Sequence, residues 1–329
     1  MIGKNGQACC ELAAFCGRNF LWTQGGGGNV STIDGDLLWI KRSGLRLREM
    51  RSGSDLVALP LPAVRDLFFS DAPGIDERLD ALADGAGTPS VEAFFHALLG
   101  PWTAHAHLVS ATAMVSGEVS DPGVAADRIA AVLGVFCAWV PYAPPGSSLA
   151  REVHRKLPRK RPETGVLLLR NHGAVVWGPD PAGVMGLFDR LDQACRDRLA
   201  GPVSPARDAA PLRAASFDPD GTELDGPLWS GTADAPALRA PWTPDAALHF
   251  GHGLAPAPGS VPALGRLFMR DQRLFYACTG PEILQNALEI VSAQLCAHRA
   301  TGGDLSFLTA EQTEGLLRWG AGKYGVSAK

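Results

Sequence analysis

The amino-acid sequence predicts a mixed α/β fold, and three observations carry that expectation. Segments with helical apolar spacing are interleaved with short strand-like apolar runs along most of the chain. Of 329 residues, 46% are hydrophobic and 19% charged, a balance that excludes a disordered polyelectrolyte. The longest apolar runs fall well short of the ~20 residues of a membrane span. A chain of this length buries roughly 75% of its unfolded surface, enough for a sizeable core. At roughly 100–200 residues per domain, about two domains are expected. A shift toward Pro, Gly, Asp and Ala after residue 200 places the division at 1–205 and 206–329.

The elements follow in order. Residues 5–18 carry Ala8, Leu12, Phe15 and Cys16 on one helical face, and residues 24–31 form a glycine-rich loop. Leu37-Leu38-Trp39-Ile40 reads as a short buried strand running into Lys41-Arg42-Ser43-Gly44. Thr88-Pro89-Ser90 looks like a helix start, with Val91, Phe94, Phe95, Leu98 and Leu99 following at helical spacing. Residues 102–107 alternate as a strand. A helix is expected over 124–140, a loop over 141–146 and a second helix over 147–156. Strands at 165–169 and 174–177 flank the turn Arg170-Asn171-His172-Gly173, and a helix spans 180–199. Residues 201–243 read as irregular. Beyond them, 266–270 and 273–277 form a hairpin across Asp271-Gln272, and 281–298 is helical. A last helix starts at Thr309, which has capping-box spacing to Gln312.

Lys and Arg number 30 against 34 Asp and Glu, a net charge of −4 that supports neither a nucleic-acid groove nor an anionic-membrane surface. Seven scattered cysteines without a C-x-x-C spacing read as free thiols in a reducing, cytoplasmic compartment, and no signal peptide is expected.

The sharpest chemical signal is His105-Ala106-His107. Side chains alternate faces on a strand, so Thr103, His105 and His107 share one side, and two imidazoles there can reach one ion at about 2.0–2.1 Å. Two ordinary strand histidines would give the same pattern. His172 offers a third ligand from a turn between apolar strands, a place where a polar side chain is either exposed or functional. Three histidines without cysteine leave an open coordination position, the pattern of a catalytic metal site. His96, His154, His249, His252 and His298 lack such a setting, and His249-Phe250-Gly251-His252 reads as a strand end and turn. Glu92 falls in the first turn of its expected helix, where the dipole favours its charge, though capping alone also explains it. Residues 25–28 with Asn29 can cradle an anion through backbone N–H groups or simply turn. They form neither a Walker A loop, since no Gly-Lys-Ser/Thr follows, nor a dinucleotide fingerprint, since position 30 is Val.

Taken in order, five segments resemble the class II aldolase/adducin head-domain family over about residues 5–200. They are Gly28-Asn29-Val30-Ser31, Lys41-Arg42-Ser43-Gly44, Pro89-Ser90-Val91-Glu92 with His96 one helical turn on, His105-x-His107, and Leu169-Arg170-Asn171-His172-Gly173. Val140-Pro141-Tyr142-Ala143-Pro144-Pro145-Gly146 before a helix is similar to that family too. The run from Gln24 to Asn29, with the C-terminal segment near 316–324, is most similar to the aldolase half of bifunctional aldolase/dehydrogenase proteins, with no dehydrogenase half expected here.

The resemblance implies a three-layer α/β/α fold with a mostly antiparallel central sheet. Residues 206–329 would be an α+β extension packing on that core. It further implies a homo-oligomer, typically a tetramer with sites at subunit interfaces. A divalent metal, Zn2+ foremost, would be held by His105, His107 and His172, with Glu92 as acid/base. Gly28, Asn29, Ser43, Gly44 and Ser90 would line the phosphate or equivalent polar end of the substrate. The implied activity is retro-aldol cleavage of a keto sugar or keto sugar phosphate, with the ion stabilising an enediolate. Glu92 would move the proton, for which partial burial should raise its pKa. Epimerases and dehydratases share the scaffold. Adducin-like interaction domains are expected to lack the metal histidines, all three of which are present. A cupin is set aside, because Ser110 and Ala111 stand where its glutamate would be.

Two departures stand out. Many sugar-phosphate aldolases of the family have Ser-Ser before the glutamate, whereas this chain has Ser90-Val91, leaving Lys41 as a source of charge. The family's C-terminal catalytic tyrosine has no matching position, and Tyr142, Tyr276 and Tyr324 are unassigned.

Overall fold

The computed structural model describes residues 3–70, 72–83, 85, 87–116, 121–204, 222–223, 235–255, 265–270, 273–278 and 280–324. The chain divides into two compact units, Met1–Val115 with Val119–Arg198, and Ser116–Glu118 with Leu199–Lys329.

The first unit runs α1 (Gly3–Gly17), β1 (Asn29–Asp34), β2 (Leu37–Lys41), β3 (Leu56–Pro60), α2 (Leu61–Phe69), α3 (Ile75–Ala81), α4 (Ala93–His96) and β4 (Trp102–Ala106). It continues through α5 (Val109–Ser116), α6 (Pro122–Leu133), β5 (Phe136–Val140), α7 (Ser147–Lys156), β6 (Gly165–Leu169), β7 (Gly173–Gly178) and α8 (Pro181–Arg196). The seven strands form one sheet in the order β3-β2-β1-β4-β7-β6-β5, in which only β5 and β6 pair in parallel. The mixed α/β architecture with a mostly antiparallel sheet is therefore as expected.

Strand alternation decides which side chains can meet. Leu38 and Ile40 of β2, Leu167 and Leu169 of β6, and Val175 and Trp177 of β7 join one core cluster with Val64 and Phe68 of α2, Leu79 of α3, Phe94 and Phe95 of α4 and Val153 of α7. Fully burying a large apolar side chain of this kind contributes about 1.5–3 kcal/mol. Directly paired residues face the same way. The pairs Ser31↔Ile40, Asn29↔His105, Ser31↔Thr103 and His105↔Val175 thus put Asn29, Ser31 and His105 on this face, beneath α4.

Several elements differ from expectation. Residues 29–31, read as loop, open β1, and His249-Phe250, read as a strand end, close the helix Pro244–Phe250. The helix expected over 124–140 stops at Leu133, where Gly134 turns left-handed at φ 68° and its N–H reaches Ala130 O at 2.9 Å. Phe136–Val140 is instead the strand β5 beside β6. An apolar run alone does not separate a buried helix from a strand, and the glycine marked the break. The helix expected from Thr88 onward shrinks to the single turn Ala93–His96. Its first residues are drawn into extended pairing, with Arg42 bridging Pro89 and Ser90 N–H donating to Lys41 O at 3.2 Å. Gly100-Pro101 then stops it.

The second unit contains β8 (Thr222–Glu223), α9 (Pro244–Phe250), β9 (Leu254–Ala255), β10 (Arg266–Arg270), β11 (Arg273–Ala277), α10 (Pro281–Ala300) and α11 (Ala310–Tyr324). Its sheet has the order β8-β11-β10-β9, and β10 and β11 pair antiparallel from Arg266↔Ala277 to Arg270↔Arg273. The connecting Asp271-Gln272, and most of the segment expected to be irregular over 201–243, lie outside the described residues. The capping box of α11 is formed, with Thr309 N–H donating to Gln312 Oε1 at 2.8 Å and Gln312 N–H to Thr309 Oγ1 at 3.2 Å. Among the described residues no helix is long and apolar enough to cross a membrane, and all seven cysteines are free.

Candidate active site

Two segments bring His105, His107 and His172 together. His105 lies on β4, with its Nδ1 3.0 Å from Ala174 O. A carbonyl only accepts, so Nδ1 carries the proton and Nε2 keeps its lone pair. His107 follows directly after β4, where its carbonyl accepts from Gln24 Nε2 at 3.3 Å. His172 sits in the β6–β7 turn behind Asn171, whose φ of 54° is one that asparagine tolerates. The next residue, Gly173, lies so close to β4 that a Cβ there would stand 2.3 Å from Ala106 O. Only glycine lets the two backbones approach this far, and that approach carries the His172 ring to the other two. Ring centroids are 5.0 Å apart for His105–His107, 4.9 Å for His105–His172 and 5.0 Å for His107–His172. All three are buried, and each offers a nitrogen within 4.8 Å of the others. Among the described residues this is the one group of at least three His, Cys, Asp or Glu side chains placed to hold a metal ion.

Glu92 closes the fourth side. Its Oε2 lies 3.5 Å from His105 Nε2 and its Oε1 3.5 Å from His172 Nε2, with the side chain buried. It caps α4 from outside, at φ −87° and ψ 4°, and its carboxylate makes no cap hydrogen bond. Oε2 accepts from Asn29 Nδ2 at 2.7 Å, while Oε1 accepts no hydrogen bond among the described residues. Burial pushes the Glu92 pKa up. His105 and His172 when charged, then the Asn29 hydrogen bond and His107, outweigh that push and hold the carboxyl down at about 2. The upward shift expected from the sequence is therefore reversed, and its cause is the ring of imidazoles rather than a helix dipole.

The donor set fits a divalent cation. The His105 Nε2 lone pair faces a carboxylate oxygen, a repulsive pairing that a proton or a cation among the rings removes. Three neutral imidazoles suit a divalent transition metal and leave a coordination position open.

The polar loops meet beside this group. Gly28 lies against the His105 carbonyl. Asn29 Nδ2 donates to Ser90 Oγ at 3.0 Å as well as to Glu92. Ser43 N–H reaches Thr88 O at 2.9 Å, which binds the 41–44 loop to the segment before Glu92, and Gly44 packs near Gly26. Asn29 thus touches the Glu92 carboxylate and Ser90 the Glu92 backbone N–H, at 3.4 Å, whereas Ser43 and Gly44 lie one loop away. Lys41 buries its ammonium between the loops, donating to Gly26 O at 3.1 Å and Leu45 O at 2.5 Å, so it acts here as a cross-link. His249 contacts Asp245 O at 3.0 Å within α9, and His252 pairs with Glu314 at 2.8 Å on the surface. Tyr276 donates its hydroxyl to His249 O at 3.0 Å.

Sequence reasoning quoted two buried residues, Gln24 and His96, without giving either a role. Gln24 holds the His107 backbone, as above. His96 stands one helical turn after Glu92, a spacing the sequence showed without its consequence. Burial drives the His96 pKa down to about 3 from an ordinary 6.5, with Glu92 opposing the shift and His105 adding to it. The sign follows from linkage: the unfolded chain binds a proton at a pH where the folded chain does not. Stability from this residue is full above pH 6.5 and is lost as pH falls toward about 3. Thermal unfolding between about pH 7 and pH 4 should show a falling Tm that His96→Gln flattens; equal slopes for the two proteins would contradict this.

The family model "Class II Aldolase and Adducin N-terminal domain" matches residues 8–199. A search of curated proteins finds no match. Among solved structures, the N-terminal class II aldolase domain of a conserved protein from Thermoplasma acidophilum is similar at 21% identity and a TM-score of 0.50. That match covers 60% of this chain and 94% of that one, and it shows the fold. An L-fuculose-1-phosphate aldolase from Thermus thermophilus is similar at 16% identity and a TM-score of 0.39, covering 60% of this chain and 94% of that one.

Proposed function

Since the chain belongs to the class II aldolase and adducin N-terminal domain family, we propose that it is a divalent-metal-dependent aldolase cleaving a keto sugar or keto sugar phosphate. The observation that carries this reading is the buried triangle of His105, His107 and His172 with Glu92 3.5 Å from two of its rings. These histidines would hold the cation, Zn2+ foremost, and being neutral they leave its charge undiminished. When bound, the cation supplies Lewis acidity toward the carbonyl and neighbouring hydroxyl of the substrate.

The chain does the rest. The Asn29 hydrogen bond and the charge of a cation among the rings favour the ionised carboxylate, so Glu92 would begin as a base. Asn29 pins Oε2, which leaves Oε1 to take the proton and return it to the donor carbon. Gly28, Ser43, Gly44 and Ser90 bind the polar end of the substrate, converting binding energy into orientation. Burial of Glu92 and the three rings keeps water from protonating that carbon indiscriminately.

A panel of free and phosphorylated keto sugars tests the reading. Cleavage into two carbonyl fragments is expected, abolished by chelation and restored by a divalent ion. Inversion of a stereocentre without cleavage would make the protein an epimerase, and loss of water a dehydratase. Neither metal binding nor turnover would leave an adducin-like interaction domain.

A further inference from the structure

We propose that His96 is a positioning residue that fixes the orientation of the Asn29 amide and, through it, the Glu92 carboxylate; this rests on the reading of Glu92 as the acid/base. The argument lies in the direction of each hydrogen bond. Asn29 Nδ2 faces Glu92 Oε2 at 2.7 Å and Ser90 Oγ at 3.0 Å, and only the amide nitrogen can donate to a carboxylate. The other end of that amide, Oδ1, accepts only, and it points at His96 Nε2 in a short contact. His96 must therefore carry its proton on Nε2. Its Nδ1 is then an acceptor, and Ser31 Oγ stands 2.7 Å away to donate to it. The result is one directed chain, from the Ser31 hydroxyl through the His96 ring and the Asn29 amide to Oε2.

Reversing any link breaks the rest. A flipped Asn29 amide would turn Oδ1 onto the carboxylate and leave two donors facing each other at His96. The placement of these residues makes the chain rigid. Asn29 and Ser31 share one face of β1. The His96 ring is fully buried and stacks on Phe95 at 4.7 Å between ring centroids, and Phe95 in turn meets His105 edge-on at 5.9 Å. The single turn of α4 fixes the spacing between His96 and Glu92, because His96 N–H reaches Glu92 O at 3.4 Å.

Two measurements on the full-length protein test the proposal. In long-range proton–nitrogen NMR spectra of histidine-labelled protein, His96 is expected to be protonated on Nε2 and bare on Nδ1; a proton on Nδ1 overturns the chain. His96→Leu is expected to keep its metal content and lose kcat by about a hundredfold, with KM moving less than about threefold. His96→Gln can still donate to Asn29 Oδ1 and should recover most of that loss. Wild-type kcat and pH profile in His96→Leu, or equal impairment of the two variants, overturns the positioning role. Should His96→Leu fail to fold, the tautomer in the wild-type protein decides alone. Intact turnover in Glu92→Gln would instead remove the acid/base reading. The tautomer, and a shift of the Asn29 side-chain amide resonances in His96→Gln, would still report on the chain itself.

Discussion

His107→Ala is expected to leave the protein folded, strip its metal and abolish carbon–carbon cleavage. His107 is chosen because it lies outside the strands of the sheet. His105 is held within β4, with Nδ1 bonded to Ala174 O, and His172 occupies a turn that depends on Asn171 and Gly173. His107 lies just beyond β4, and its tie to Gln24 runs through its own carbonyl, which alanine retains. Two imidazoles and a carboxylate already tied to Asn29 make a poor substitute for three neutral nitrogens. Lewis-acid stabilisation supplies several kcal/mol, so at ~1.4 kcal/mol per tenfold its loss should lower turnover by about a thousandfold or more. Elemental analysis, circular dichroism and a cleavage assay on the same preparation read the three quantities separately. Unchanged metal content would remove His107 from the ligand set.

What the sequence disclosed and what it withheld divide along physical lines. Local rules were legible. The capping box at Thr309 and Gln312, the antiparallel pairing of β10 and β11, and the strand read over residues 102–107, observed as Trp102–Ala106, each depend on neighbours within a few residues. The order of the polar and histidine segments disclosed the family, because spacing along the chain reflects the topology that unites them. Long-range effects were hidden. Nothing local to residues 124–140 announced that Phe136–Val140 would find β6 as a partner, although Gly134 marked where a helix could end. The helix before His96 lost its first turn to a bridge with residues more than forty positions earlier. The Glu92 shift came out with the opposite sign because burial, which the apolar surroundings suggest, competes with imidazoles supplied by β4 and by the β6–β7 turn. His96 was set aside as a site residue because its partners, Ser31 and Asn29, lie on a strand more than sixty residues away in sequence.

Glu92→Gln separates proton transfer from metal binding. Glutamine has nearly the same shape, and its carbonyl oxygen can accept the Asn29 amide as Oε2 does, so the surroundings of the side chain persist. The three imidazoles are untouched and should still hold the cation. What disappears is a group that can take and return a proton, because an amide is neither base nor acid in the range where the carboxylate works. General acid–base catalysis contributes about a hundredfold to ten-thousandfold, and loss of that order is expected in cleavage. The more discriminating reading is isotope exchange between solvent deuterium and the donor carbon of the isolated donor product. This half-reaction needs the cation and the base but no carbon–carbon bond, so full metal content with exchange reduced to background assigns the proton to Glu92. Exchange at the wild-type rate would pass that role to another residue and leave Glu92 as a spacer among the rings. A simultaneous loss of metal would show instead that the carboxylate, 3.5 Å from two of the rings, is itself needed to hold the cation.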